Sequence, residues 1–87
     1  MMTGPEIAQQ AKEQLARLTN LKPNTVSGLS RDEEGWHVTV DLIELKRIPE
    51  ATDVLATYET LLDDAGNLIR YQRTRRYYRG QVTEQEA

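Results

Sequence analysis

The sequence predicts an α+β domain, with an N-terminal helix packed on one face of a four-stranded antiparallel β-meander. Three observations carry that prediction. Apolar residues recur at helical spacing near the N-terminus, and from about residue 25 the apolar period becomes two. Short clusters of turn-forming residues separate the alternating stretches, and short connections favour neighbouring antiparallel strands.

The helix is expected over residues 5–18. Ile7, Ala11, Leu15 and Leu18 fall on one face. Thr3 and Glu6 have the spacing of a capping box, and Pro5 suits a first turn. Glu13 and Arg17 are placed for an i,i+4 pair. The apolar stripe is narrow and rich in alanine, so the helix needs a sheet beneath it. Residues 19–24 read as a connector, because Pro23 and Asn24 break the helical pattern.

Four strands follow, expected over residues 25–31, 36–47, 54–62 and 68–79. Trp36, Val38, Val40 and Leu42 alternate with His37, Thr39 and Asp41, a strong strand signal. The alternation slips where Ile43 and Leu45 are also apolar, which suggests a β-bulge near Leu42 and Ile43. Pro49 stops this strand, since proline cannot donate to a ladder. The third strand places Val54, Ala56, Tyr58 and Leu62 on one face. In the fourth, strict alternation would put Tyr71, Arg73, Arg75, Tyr77 and Arg79 together. Gly35 and Gly66 serve the turns, and Asp53 is placed to accept hydrogen bonds from turn backbone. Residues 1–87 read as a single domain with a flexible polar tail over 80–87.

The chain contains no cysteine, which excludes disulfides and thiolate metal sites and fits a cytoplasmic setting. Neither a signal peptide nor an apolar run of membrane-spanning length is visible, so a soluble protein is expected, without membrane contact. Net charge is −3, but it is unevenly placed. The stretch RYQRTRRYYR at residues 70–79 carries five arginines and no acid, against an acidic remainder.

Catalytic patterns are missing, and no enzyme, metal or cofactor is expected. His37 is the single histidine and lies on the solvent face of its strand, with no convergent group expected beside it. Asp41 shares its face but lies roughly 13 Å along the strand. The acids at 32–34 and 63–64 read as solvated turns. The basic stretch has two readings. Arginines between tyrosines suit a small nucleic-acid-binding regulator. Alternatively, they pair with Asp41, Glu44, Asp53 or Glu59 across the sheet and bind protein with what remains, which the acidic overall balance favours. A long edge strand also makes a homodimer a possible state.

The segment 35–79 resembles the gas vesicle protein O family. The matching pieces are Gly35-Trp36, then Glu44-Leu45-Lys46-Arg47-Ile48-Pro49. Asp53-Val54-Leu55-Ala56, Tyr58-Glu59, Asp63 and Gly66 follow. Tyr71, Arg73, Arg75, Arg76, Tyr77 and Arg79 close the pattern. Lys46 stands where arginine is usual and Thr60 where a branched apolar residue is usual. Many members carry a long charged N-terminal extension that this sequence does not show. The resemblance implies a non-catalytic cytoplasmic accessory factor in gas vesicle formation. It implies other gas vesicle proteins as partners, shell or accessory. On this reading Trp36, Glu44, Pro49, Asp53, Tyr58, Glu59, Gly66 and Tyr71 are structural. Trp36, Val40, Ile43, Tyr58 and Tyr71 would supply core volume. Glu44 and Glu59 would pair with arginines of the last strand. The expected partner-binding residues are Arg47, Arg73, Arg75, Arg76, Tyr77, Tyr78 and Arg79.

Overall fold

The computed structural model describes residues 2–80. It contains one helix, α1 (Gly4–Thr19), and four strands, β1 (Lys22–Asp32), β2 (Gly35–Leu45), β3 (Val54–Leu62) and β4 (Leu68–Tyr78). The strands form one antiparallel sheet in the order β1-β2-β3-β4. This is the helix-on-meander α+β architecture that the periodicities predict. The expected tail from residue 81 onward lies outside the described residues.

The start of α1 is set locally. Thr3 Oγ1 accepts from the Glu6 N–H (3.3 Å) and Glu6 Oε1 accepts from the Thr3 N–H (2.8 Å), closing the capping box. At the other end Asn20 takes a left-handed φ of 59° and its N–H reaches the Ala16 carbonyl. Ile7, Ala11 and Leu15 are completely buried. They pack on Val38, Val40, Leu42, Ala56, Tyr58 and Leu62, the inward faces of β2 and β3. Leu18 departs from expectation and is 59% exposed. It sits in the last turn of the helix. The expected Glu13–Arg17 pair is replaced by Gln9 donating to Glu13 at 2.9 Å.

Strand β1 begins earlier than expected, at Lys22. It is an edge strand, where proline is tolerated, and a register shift between Pro23 and Thr25 absorbs Asn24. The slip near Ile43 is a bulge at Glu44, between the pairs Ile43↔Leu55 and Leu45↔Val54. Gln14 ties α1 to the second hairpin turn. Its Nε2 donates to the Gly66 carbonyl (2.7 Å) and its Oε1 accepts from the Leu68 N–H (2.9 Å).

Strand β4 corrects two readings. Its pairing with β3 skips Ile69 and Thr74. Each extra residue inverts the faces that follow it. Tyr71 and Arg73 therefore share the α1 side with Arg76, whereas Arg75 and Tyr77 point to the opposite side. The five residues expected on one face are split. Tyr71 is also not core: it is 42% exposed, and it meets Tyr58 at a ring distance of 6.2 Å. Ile43 is half-buried on the sheet face away from α1.

Candidate partner-binding surface

Antiparallel order places the connection 46–53 beside the C-terminal half of β4, at the end of the sheet away from the two hairpin turns. Asp53 organises that end. Its side chain is fully buried. Oδ1 accepts from the Arg47 N–H at 2.7 Å. Oδ2 accepts from the Arg79 guanidinium at 3.2 and 3.3 Å and from Lys46 Nζ at 3.5 Å. The Arg79 N–H donates to the Asp53 carbonyl (3.0 Å). The Arg47 amide holds the Asp53 carboxyl below the ordinary carboxylate range; burial opposes this, and Arg79 and Lys46 add to it. Pro49 contributes its carbonyl, which accepts from Thr52 N–H and Oγ1 (3.0 and 2.7 Å) in the short helical turn Glu50–Thr52.

The consequence is a pinned loop with two outward features. Ile48 is 100% exposed at its tip. The Arg47 side chain has no carboxylate partner among the described residues. Beside them lies an open depression of about 290 Å³, lined by Arg47, Val54, Arg76, Tyr77 and Tyr78.

The other arginines are divided by role. Glu44 is held between Arg73 (3.0 Å) and Arg76 (2.9 Å), so one carboxylate faces two guanidiniums. Arg75 stacks over the Tyr77 ring at 4.5 Å. The Tyr77 hydroxyl donates to Asp41 Oδ2 (2.7 Å), while Thr57 Oγ1 donates to Asp41 Oδ1 (2.8 Å). Burial, followed by the Asp41 carboxylate, pushes the Tyr77 phenol up to about 12. Arg79 faces inward onto Asp53. Of the seven expected partner-binding residues, Arg47, Arg76, Tyr77 and Tyr78 surround the depression. Arg73 joins them through Glu44, Arg75 lies on the other face, and Arg79 is a clamp. Glu59 stands opposite Gln72, with no ion pair to any arginine among the described residues.

Sequence reasoning missed two features here. Ile48 reads as the end of a strand, and only its place beside Pro49 signals a loop tip. The other is His37, expected to have no convergent group beside it. The β1–β2 turn folds acids onto it: Nε2 lies 2.8 Å from Asp32 Oδ2 and 3.8 Å from Glu34 Oε1. The donors Asp32, Glu34 and His37 lie within 4.8 Å of one another, a set able to hold a cation. Arg70 already approaches Glu34 at 3.6 Å, and both acids are exposed. Nearby, an open depression of about 230 Å³ includes His37, Glu59 and Arg70 in its lining.

A nucleotide-stacking platform needs several free rings and guanidiniums on one face. The bulge at Thr74 separates the arginines, and Tyr77 is committed to Asp41 and Arg75. Among the described residues, no helix is long and apolar enough to cross a membrane.

Comparison with known proteins places this arrangement in a family. The model of the family described as gas vesicle synthesis protein GvpO matches residues 2–83. Gas vesicle protein O of Streptomyces sp. (strain CB03234) is 43% identical over 74 residues, covering 85% of this chain and 58% of that protein. Gas vesicle protein O1 of Halobacterium salinarum is 33% identical over 54 residues, covering 62% of this chain and 45% of that protein. Gas vesicle protein O of Haloferax mediterranei is 35% identical over 52 residues, with coverages of 60% and 37%. The chain thus spans about half the length of the curated relatives it matches. No solved structure gives a significant match. With the family model matching nearly its whole length, the chain belongs to the gas vesicle protein O family.

Proposed function

We propose that this protein is a non-catalytic accessory factor of gas vesicle assembly, acting in the cytoplasm by binding another gas vesicle protein, shell or accessory. Family membership supports the process, as the matched relatives carry the gas vesicle name. One structural observation supports a binding mode: a pinned loop presents a fully exposed isoleucine next to an arginine without a carboxylate partner among the described residues. A solvent-facing apolar side chain on a restrained backbone loses little entropy on contact, which favours recognition. The surface groups are arginine, tyrosine and isoleucine, types enriched or tolerated in interface centres.

Deletion of the gene in its native cluster, scored by electron microscopy of vesicle number and shape, tests the process. Complementation with Arg47→Glu/Arg76→Glu tests the surface. The expected results are impaired vesicles in the deletion and failure of the double variant to restore them. Normal vesicles in a clean deletion would overturn the assembly role.

A further inference from the structure

Resting on that reading of the surface, we infer that the basic end of the sheet receives an acidic segment of a partner protein. Carboxylates of that segment meet Arg47 and Arg76, and an apolar side chain packs against Ile48 and the adjacent depression.

Charge placement carries the inference. At this end Lys46, Arg47, Arg73, Arg75, Arg76 and Arg79 outnumber Asp41, Glu44, Glu50 and Asp53 by six to four. Three of these acids are already committed: Asp41 to Tyr77 and Thr57, Glu44 to Arg73 and Arg76, Asp53 to the Arg47 amide and Arg79. A guanidinium carries five N–H donors, so Arg76 retains capacity after meeting Glu44. Among the described residues, the Arg47 side chain has no carboxylate partner, so its donors face outward to a ligand. The site selects a carboxylate-rich ligand, and the apolar contact makes it a side-chain-bearing one. A depression of about 290 Å³ lies at the low end for a ligand pocket, which suits one side chain rather than a cofactor.

Other occupants fit less well. A second copy would have to offer its acidic end, at the two hairpin turns. There Asp64 is bound bidentately by Arg31 (2.9 and 3.0 Å), Asp32 by His37, Glu34 by Arg70 and Asp63 by its own turn, which leaves Glu33 as the turn acid without an ion pair among the described residues. Self-pairing along the β4 edge would stack arginine on arginine, and the bulges at Ile69 and Thr74 interrupt that edge. A nucleic acid would find the arginines of β4 split between two sheet faces by the bulge at Thr74.

The test uses the full chain and fluorescein-labelled short peptides tiled across the gas vesicle proteins encoded with it. Each acidic peptide is paired with a version carrying Gln and Asn for Glu and Asp. A single-stranded oligonucleotide serves as competitor, and binding is read by fluorescence anisotropy. The expected result is that acidic peptides with an apolar residue bind, weaken with salt and lose affinity on amidation. Arg47→Ala and Arg76→Ala should each weaken binding about tenfold, the worth of a charge-assisted hydrogen bond. Ile48→Ser should do the same, and Arg31→Ala at the far end should leave binding unchanged. Arg47→Lys and Arg76→Lys keep the charge and guard against misfolding, with circular dichroism on every variant. The inference is overturned if no acidic peptide binds, if the amidated versions bind equally, or if the oligonucleotide displaces every peptide. Failure here with impaired vesicles in the deletion strain would remove the acidic partner and leave the assembly role standing. Normal vesicles with intact acidic-peptide binding would do the reverse.

Discussion

Replacing Leu15 by alanine tests how α1 is held on the sheet. Leu15 is completely buried in the shared core. Truncation removes three carbons at about 0.8 kcal/mol each, or roughly 2.4 kcal/mol of transfer free energy. The cavity left behind adds to this, so a total of about 3 kcal/mol is expected. A chain of 87 residues has about 4–13 kcal/mol to lose. At about 4–8 °C per kcal/mol, the melting temperature should fall by roughly 12–24 °C. Leu18→Ala is the control. Helical periodicity alone gives both leucines the same face, but Leu18 is 59% exposed. Its truncation should cost less than about 0.5 kcal/mol. Urea unfolding followed by far-ultraviolet circular dichroism and Trp36 fluorescence would measure both. Equal losses at the two positions would refute the docking register of α1.

Gly35 has a φ of +140°, and a Cβ there would lie 2.4 Å from the Leu62 carbonyl oxygen. Gly35→Ala should therefore destabilise by at least about 2 kcal/mol in urea unfolding, because backbone cannot move aside as a side chain can. Asp53 has its pKa lowered on folding, chiefly by the Arg47 amide, so its contribution is present above the ordinary carboxylate range. That contribution is lost as pH falls through the lowered folded value. Asp53→Asn should be less stable than the parent at neutral pH, with the gap closing on acidification; a gap that widens in acid would contradict this. Ultraviolet titration should show one tyrosine ionising at about 12, and Tyr77→Phe should remove that step.

How far these features could be read in advance depended on the range of the contacts behind them. The capping box, the turn glycines and the alternation of Trp36, Val38, Val40 and Leu42 are local patterns, and local geometry turns them directly into structure. The stretch RYQRTRRYYR is different. Doubled Arg75-Arg76 and Tyr77-Tyr78 fit either face, and no glycine or proline marks the extra residue. Thr74 becomes a bulge because β3 sets the pairing: with Arg73 opposite Tyr58, Arg75 must reach Thr57. Along its own strand, parity gives His37 no neighbour, but a turn brings Asp32 to 2.8 Å.

Asp53 joins both kinds of information. Its place just before a strand suggests a turn acceptor, and it does accept the Arg47 amide. Its second partner, Arg79, lies 26 residues away and meets it only after β3 and β4 have paired. The same residue that caps the loop thus also ties it to the end of β4. This makes Arg79 an internal support and leaves Arg47 and Ile48 as the presented groups. A basic run read as one surface divides into a clamp, a salt-bridged brace at Glu44 and a small exposed remainder. The proposed interaction surface is consequently smaller than the arginine count implies, and it includes an isoleucine that charge patterning alone could not select.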